Sequence, residues 1–332
     1  MEWFLIFAGI FLLVIAFTDL LQTTIQHTGA GFLSQRIGTT IWKIFLWLSG
    51  QKGKNRILGS AGLVIVCTLI IFWITCIWLG YALIFNFQAD SVLHASSDVP
   101  TDFKEKIYYT GYTLSTLGNG DMKPSSFFWR ILTVINSISG LLIITLSITY
   151  LLPLLSAVTN KRKLCAYISF LGENPEEIIM KGWNGKDLSD LDTYFQELGL
   201  MMLDHKEKHL LYPVLHYFHS TEIKFAAPIA FTVLDETVSV ILSSPKLHGN
   251  SDWLALNILR KSLDDYLDII KETYIHSTVV TPFIPGLKAV YGEIGVSPAH
   301  VHQYFDTLKE RRELLYGMVE NDGWDWPLGG EV

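Results

Sequence analysis

The sequence predicts an all-α membrane protein with a helical, water-soluble domain behind its last membrane span. Half of its 332 residues are apolar and 17% are charged, a smaller charged fraction than soluble domains usually carry. The charge is unevenly placed, because residues 1–160 have a formal net charge of +2 and residues 161–332 one of −9. A lipid-soluble half therefore precedes an acidic half that is long enough to fold in water.

Three apolar runs are long enough to cross a hydrocarbon core of ~30 Å, which takes about 20 helical residues. They lie at 3–21, 61–87 and 131–158. The second and third runs contain no charged residue, whereas Asp19 lies near the end of the first. The first run lacks the basic start and the small-residue cleavage site of a signal peptide, so we expect a retained helix.

Basic residues beside the spans predict their orientation, since cytoplasmic flanks are enriched in Lys and Arg. Three basic residues precede the second span and three follow the third, at 52, 54, 56 and 161–163. The connection between these spans begins with Asp90, Asp98 and Asp102 and is expected outside, so the first span starts outside as well. We expect a multi-pass protein of the inner (plasma) membrane with a cytoplasmic C-terminal domain.

Residues 31–50 are amphipathic, with Arg36 and Lys43 on one helical face and a row of apolar residues on another. This pattern predicts a helix that lies in the membrane interface, and a short re-entrant hairpin is the alternative. Three domains follow: 1–59 with the first span and the interfacial helix, 60–160 with the two uncharged spans, and 161–332 as a cytosolic helical domain.

The C-terminal domain has helical patterning almost throughout. Helices are predicted at 174–181, 188–202, 206–219, 227–242, 253–274 and 298–319, separated by turn sequences rich in Gly, Pro, Asn and Ser. The tail 323–330 contains two tryptophans, so we expect an irregular segment that docks on the domain. No glycine-rich nucleotide-binding motif after a strand is found in this half.

Four histidines lie within fifteen residues, at 205, 209, 216 and 219. The first two and the last two have spacings at which a helix could offer both rings to one metal. Pro213 interrupts the helix between the pairs, so we expect solvated or hydrogen-bonded histidines, no metal and no cofactor. A role in sensing pH is an open alternative.

Two charged runs have a simple interpretation. The alternating signs of 309–313 predict an exposed helix with ion pairs along it, and a phosphate-binding site is the alternative. The basic run 161–163 is interpreted as a topology anchor that could also contact anionic lipid.

The segment 104–121 lies between the two uncharged spans. Its first part favours a short aromatic helix and its second part is an extended loop with spaced glycines. Lipid cannot satisfy the backbone carbonyls of such a loop, so a segment of this kind at membrane depth must line water or ions. The loop consists of Thr116, Leu117, Gly118, Asn119, Gly120 and Asp121.

This loop resembles the selectivity filter T-V-G-Y-G-D of the potassium-channel superfamily. The match is closest at Thr116, Gly118, Gly120 and Asp121. Further matches at Pro124, Arg130 and Gly140 stand where the superfamily has a proline, an arginine and an inner-helix hinge glycine. The resemblance covers roughly residues 60–158.

The resemblance implies a homotetramer, because one chain supplies one of four filter strands. It implies a filter at 116–121, a pore helix that contains Tyr108, Tyr109, Tyr112 and Ser115, and a hinge at Gly140. Independently of the resemblance, a proline kink and an apolar ring at Pro153, Leu154 and Leu155 are expected to form the gate. The permeant ion would be K⁺, with Na⁺ as a second candidate.

Asn119 departs from the superfamily pattern, which has Tyr or Phe at this position to hold the width of the filter. Weaker discrimination between K⁺ and Na⁺ is therefore expected. The alternative is that Tyr108, Tyr109 or Tyr112 clamps the Asn119 amide.

The sequence thus predicts a tetrameric cation channel, not an enzyme, gated by a cytosolic domain that senses a ligand or a partner protein. The lipid bilayer and further copies of the chain are its other expected partners. Alternatives are a non-conducting membrane anchor for a binding or signalling module, an enzyme built on the histidine cluster, and a bacterial immune effector channel gated by a nucleotide or oligonucleotide.

Overall fold

The computed structural model describes residues 2–26, 29–248, 253–274 and 280–328. Contacts divide the chain into two compact units. The first unit comprises Met1–Thr39, Leu63–Leu155 and Leu211–Val214, and the second comprises Thr40–Gly62, Ser156–Leu210 and Leu215–Val332. Both are built almost entirely of helices, which confirms the predicted fold class.

The elements of the first half are α1 (Glu2–Thr24), α2 (Phe32–Leu48), α3 (Arg56–Gly59), α4 (Ala61–Phe85), β1 (Val92–His94), α5 (Phe103–Leu114), β2 (Met122–Pro124) and α6 (Phe127–Leu171). Those of the second half are α7 (Pro175–Gly182), α8 (Asp192–Leu211), α9 (Ala227–Ser243), α10 (Pro245–His248), α11 (Trp253–Thr273), α12 (Pro298–Thr307) and α13 (Lys309–Asn321). Short 3₁₀ turns at Ser189–Leu191, Pro213–Tyr217 and Ile223–Phe225 and a π turn at Val290–Ile294 connect them.

Three helices of the described chain, α1, α4 and α6, are long and apolar enough to cross a membrane. They contain the three predicted apolar runs, apart from the last two residues of the second run. Helix α6 is longer than expected, because it continues to Leu171 without a break. The basic residues 161–163 therefore lie inside a helix instead of following one.

Helix α1 packs along α4 in the opposite direction. Trp3 at the start of α1 contacts Phe87 just beyond the end of α4, with ring centroids 5.3 Å apart. Further along α1, a β-carbon on Gly9 would lie 2.7 Å from the carbonyl oxygen of Gly80. Two glycines thus let the helix backbones approach closely, which is a common basis of helix packing in membranes.

Asp19 joins α1 to the first turn of α2. Its buried carboxylate accepts hydrogen bonds from the backbone N–H groups of Leu33 and Ser34, at 2.9 and 3.1 Å, and from the Ser34 hydroxyl. The indole of Trp73 in α4 donates a further bond of 2.9 Å. The carboxylate therefore caps α2, whose first N–H groups have no partner within the helix. Because α2 is one continuous helix, the alternative of a re-entrant hairpin is wrong.

The second unit is organised around α9, whose side chains are almost all buried. Helices α7, α10, α11, α12 and α13 pack against it. In its middle, Asp235 and Glu236 are each 1% exposed. A buried carboxylate is costly unless it is paired, and both are paired with arginines.

These arginines come from α11 and α13. Arg260 and Arg311 bind the Asp235 carboxylate, and Arg312 Nε lies 2.8 Å from Glu236 Oε1. The predicted exposed face of 309–313 is therefore wrong for Arg311 and Arg312, and their guanidinium groups are engaged by carboxylates instead of phosphate. The alternating charges of 309–313 did not reveal this burial, because the carboxylate partners of the two arginines lie 76 residues away in sequence.

Some predicted helix boundaries were also wrong. Helix α8 runs through the gap predicted at 203–205 and ends at Leu211, because Pro213 is the first residue there that resists continuation of a helix. The predicted helix 298–319 divides at Leu308 into α12 and α13. The strands β1 and β2, which pair antiparallel, were not predicted at all.

The tail is irregular and docked, as predicted, over the residues that the structure describes. Trp324 is 8% exposed and stacks on His219, with ring centroids 5.9 Å apart. Trp326 stacks on Tyr316. Gly329 and Gly330 lie outside the described residues.

We expect Arg312→Ala to lower the free energy of unfolding by about 3–5 kcal/mol, because Glu236 would lose its partner and would have to stay buried as an unpaired charge or take up a proton. Lys309→Ala on the same helix, whose side chain is 65% exposed, should change it by less than about 0.5 kcal/mol. Thermal unfolding of the detergent-solubilised protein measures both. Equal melting temperatures for the two variants would contradict the assignment of the pair to the core.

Candidate functional site

The site is presented by α5, a twelve-residue helix that is fixed at its start. The Asp102 carboxylate accepts from the Glu105 N–H and the Glu105 carboxylate accepts from the Asp102 N–H, both at 2.8 Å. This reciprocal arrangement is a capping box. Lys106 is 1% exposed and its ammonium donates to the carbonyls of Gln88 and Ala89, at 2.7 and 3.1 Å. The helix is thereby tied to the chain that leaves α4.

Helix α5 also packs closely against α6. The Asn136 amide donates to the Thr110 carbonyl at 3.0 Å. A β-carbon on Gly140 would lie 1.8 Å from the carbonyl oxygen of Leu114, so no larger residue fits where α6 passes the end of α5. This close contact is sufficient to explain why residue 140 is a glycine. The role of Gly140 as a hinge stays a prediction.

The end of α5 has the hydrogen bonds of a Schellman motif. The N–H of Leu117 donates to the Tyr112 carbonyl at 2.8 Å, and the N–H of Thr116 donates to the Thr113 carbonyl at 3.0 Å. The left-handed residue of this motif is usually glycine, but here it is Thr116, with φ 60°. A β-branched residue in this region is strained, and such strain is concentrated at functional sites.

The positive φ recurs at every second residue of the loop. Thr116, Gly118 and Gly120 have φ of 60°, 60° and 76°, whereas Leu117 and Asn119, which are also described, do not have positive φ. Successive carbonyls point to opposite sides in an ordinary strand. Alternating left- and right-handed residues can instead turn them to one side, and glycine adopts the left-handed region most readily.

The loop is exposed within the single chain. Residues 115–121 are all solvent-accessible, and a β-carbon on Gly118 or Gly120 would meet no described atom within 4 Å. Both glycines are therefore explained by their backbone conformation and not by lack of space.

Asn119 is held by a tyrosine of α5. Its amide nitrogen donates a hydrogen bond to the hydroxyl of Tyr108. The Tyr108 ring meets the edge of Tyr112 at 5.2 Å, and Tyr112 meets Tyr109 at 5.3 Å. Of the three tyrosines considered, Tyr108 is thus the one that bonds the Asn119 amide, and the restoration of filter rigidity by this bond stays a prediction.

Comparison with known proteins points to the same region of the chain. Residues 68–157 match a family model described as an ion channel. The chain is 33% identical over 332 residues to the uncharacterized membrane protein YdjJ of Bacillus subtilis (strain 168), a match that covers 97% of this chain and 95% of YdjJ. No solved structure matches the chain significantly.

The chain belongs to the YdjJ family of membrane proteins, and it contains an ion-channel module. The resemblance to the pore module of the potassium-channel superfamily is thereby confirmed. The matched residues include α5, the loop and most of α4, together with α6 as far as Ala157.

The predicted gate of this YdjJ relative lies on α6. Pro153 stands inside the continuous helix. Leu154 is 0% exposed, whereas Leu152 and Leu155 are 64% and 47% exposed. An apolar ring formed between chains therefore suits Leu152 and Leu155 better than Leu154, whose side chain is enclosed by its own chain.

An apolar groove lies beside the loop in the first unit, with a volume of about 460 Å³. Helices α4, α5 and α6 form its walls. Its lining includes Trp78, Tyr108, Leu117, Gly140 and Ile144. Sequence reasoning did not identify this groove, because its residues come from three separated segments.

Three of the four clustered histidines form an aromatic core instead of a ligand set. His205 and His209 are 3% and 2% exposed, with ring centroids 5.8 Å apart, and His216 stacks on Tyr274 at 4.1 Å. Among the described residues, His205 Nε2 and both ring nitrogens of His209 have no hydrogen-bond partner. Within the described residues no group of three or more potential ligands could hold a metal ion.

These three histidines are neutral. Burial, and to a lesser degree the charge of Lys161, lowers the pKa of His209 to about 3. Burial and the neighbouring His209 hold the pKa values of His205 and His216 well below the ordinary value. The expectation of solvated or hydrogen-bonded rings is therefore wrong for His205 and His209, while the fourth histidine, His219, is hydrogen-bonded.

We expect acid to destabilise the second unit, because unfolded histidines take up protons near pH 6.5 that the buried rings cannot accept. The contribution of these neutral rings to the free energy of unfolding is fully present above that pH. It falls as the pH drops towards about 3, by up to ~1.4 kcal/mol per pH unit for each such ring. His209→Phe should flatten this slope and the exposed control His300→Phe should not. Melting temperatures between pH 7 and 5 measure the slope, and equal slopes for both variants would contradict the neutral state of His209.

Proposed function

We propose that four copies of this chain form a cation channel whose selectivity filter is the loop 116–121. The observation that carries the proposal is the positive φ at Thr116, Gly118 and Gly120, which can turn successive carbonyls to one side. Rings of such carbonyls can replace the water around a cation. K⁺ is the proposed permeant ion, with Na⁺ as the second candidate.

A homotetramer is proposed because one loop supplies only a quarter of such a ring. The apolar groove beside the loop supports this assembly. It exposes the pore-helix residue Tyr108 and the loop residue Leu117, and a neighbouring copy would remove both from lipid or water. Burying apolar surface of this kind favours association.

The proposed orientation places the second unit in the cytoplasm of the cell. The basic residues before α4 and late in α6 support this topology, and the antiparallel packing of α1 on α4 is consistent with it. The proposed membrane is the inner (plasma) membrane.

The proposed gate is the segment 152–155 of α6, with Pro153 inside it, the exposed Leu152 and Leu155 as its apolar ring and Gly140 as the hinge. Because α6 continues from the pore module into residues of the second unit, a ligand or partner that binds the second unit can bias this helix. Such a molecule acts only through different affinities for the open and closed states.

The preference for K⁺ is proposed to depend on the Tyr108–Asn119 hydrogen bond. The usual filter residue is a large aromatic that packs behind the carbonyls, and Asn119 has no ring. A hydrogen bond from its amide to the pore helix can restrain the same backbone. This hydrogen bond stabilises the loop by only about 1 kcal/mol per chain. We therefore expect weaker discrimination between K⁺ and Na⁺ than an aromatic residue would give.

We expect Gly118→Ala and Gly120→Ala to abolish potassium flux into liposomes while the mass of the tetramer is retained. A β-carbon disfavours the left-handed conformation by roughly 1–2 kcal/mol at each position and each chain. Gly185→Ala is the matched control, since Gly185 has φ of 94° in the second unit and should leave flux unchanged. A monomeric wild-type protein, or normal flux in both filter variants, would favour the membrane-anchor alternative.

We expect Tyr108→Phe to lower the permeability ratio of K⁺ to Na⁺ by about tenfold, which corresponds to ~1.4 kcal/mol. Tyr109→Phe removes a hydroxyl from the same helix but leaves the Asn119 bond intact, so its effect should be smaller. Reversal potentials under opposed potassium and sodium gradients measure the ratio. An unchanged potential in Tyr108→Phe would show that the clamp does not set selectivity.

A further inference from the structure

His219 lies where three distant segments of the second unit meet. Its side chain is fully buried. The Nε2 atom is 2.7 Å from the Gly53 carbonyl oxygen, in the segment that precedes α4, and the Nδ1 atom is 3.0 Å from the Asp322 carboxylate at the end of α13. The ring therefore bridges the two segments with both of its nitrogens.

These two bonds require a protonated ring. A carbonyl oxygen only accepts hydrogen bonds, so Nε2 must donate to Gly53. An ionised carboxylate also only accepts, so Nδ1 must donate to Asp322. A neutral imidazole has one N–H and can make one of these bonds, whereas the imidazolium makes both.

Other contacts close around this bridge, and we call the whole arrangement the clasp. The N–H of Gly53 donates to the Gly323 carbonyl at 2.6 Å, and the Trp42 indole donates to the Asn321 carbonyl at 3.2 Å. A β-carbon on Gly53 would lie 2.6 Å from the Trp324 ring. The clasp thus fixes the segment before α4 to the C-terminal tail.

The charged groups that face His219 are Asp322 and Lys161. The Lys161 ammonium lies on α6 and donates to the carbonyls of Leu215 and Phe218, at 3.2 and 3.0 Å. It is thus held by the protein, and the interpretation of this lysine as a lipid contact is wrong. Burial and Lys161 lower the pKa of His219, but Asp322 and the Gly53 carbonyl raise it more, so it lies above the ordinary value.

The sign of the pH dependence follows from this upward shift. The stabilisation from His219 is fully present below about pH 6.5, the ordinary value, and is lost as the pH rises through the higher pKa of the folded protein. The buried His205, His209 and His216 respond in the opposite direction, because acid destabilises them.

We propose that the clasp is a proton-operated latch, closed while His219 carries two protons and released when alkaline solution removes one. Its target is the segment that leads into α4, since Gly53 lies eight residues before Ala61, where α4 begins. The consequence for channel opening rests on the proposed function, but the latch itself does not.

Hydrogen exchange of the full-length protein in detergent, between pH 6 and 9 and corrected for the intrinsic rate, tests the latch directly. Peptides that contain Gly53 and Trp324 should lose protection as the pH rises in the wild type. His219→Gln should give low protection without this pH dependence. Asp322→Asn should move the midpoint down by about one pH unit or more, and the exposed control Asp325→Asn should not move it.

Potassium flux at different internal pH, recorded with the same variants, tests the consequence. The latch predicts a pH dependence of flux that His219→Gln removes and His300→Gln retains. PH-independent protection in the wild type, or the same pH dependence in His219→Gln, overturns the latch. If protection depends on pH but the flux is present and does not, the latch has no role in gating. If the wild-type protein shows no cation flux at all, the proposed channel is refuted, and the exchange result alone decides whether the latch exists.

Discussion

Backbone carbonyls that leave a helix at membrane depth have no partner in lipid, and the first unit is built around this constraint. Helix α5 is short, so it must be fixed from outside its own length, and the capping box at Asp102 and the buried ammonium of Lys106 do this at its start. At its end, Gly140 lets α6 pass against the Leu114 carbonyl. The loop that follows is exposed in the single chain, and its carbonyls are the ones proposed to meet ions.

Buried charged groups in both units likewise need partners. Asp19 is buried in the first unit with four donors around its carboxylate, and Asp235 and Glu236 are buried in the second with arginines. Four histidines that are close in sequence differ in their partners. Burial lowers the pKa values of three of them, which have no charged acceptor among the described residues, whereas the Asp322 carboxylate raises the pKa of His219. Residue type alone does not decide protonation, because the partners of each ring do.

Much of the channel module follows from the sequence, because its signals are local. Uncharged runs of the required length predicted the spans, and the resemblance of 116–121 to a known filter located the loop. The Tyr108–Asn119 bond could be stated only as one of three options, since the choice depends on side-chain direction at the end of a helix. The Leu154 side chain was placed in a gate from its neighbours in sequence, but its burial depends on packing that no local pattern contains.

The C-terminal half shows the limit of local patterns more clearly. Its helical character was predicted from periodicity and turn residues. The burial of Arg311 and Arg312 was not, because their carboxylate partners are 76 residues away. The paired strands β1 and β2 have three residues each, too few to establish an alternating pattern. Asp19 could be recognised as an unusual charge in an apolar run, but its role as a cap for another helix required the fold.

We propose that carbonyls of residues 116–120 coordinate a cation on a four-fold axis. An experimental structure of the full-length protein in thallium, a heavy substitute for potassium, tests it most directly. We expect ion density on the axis of a tetramer, enclosed by these carbonyls from four chains. Loops 116–121 that lie apart from one another, or a four-fold assembly whose axis holds no ion at this level, would contradict it.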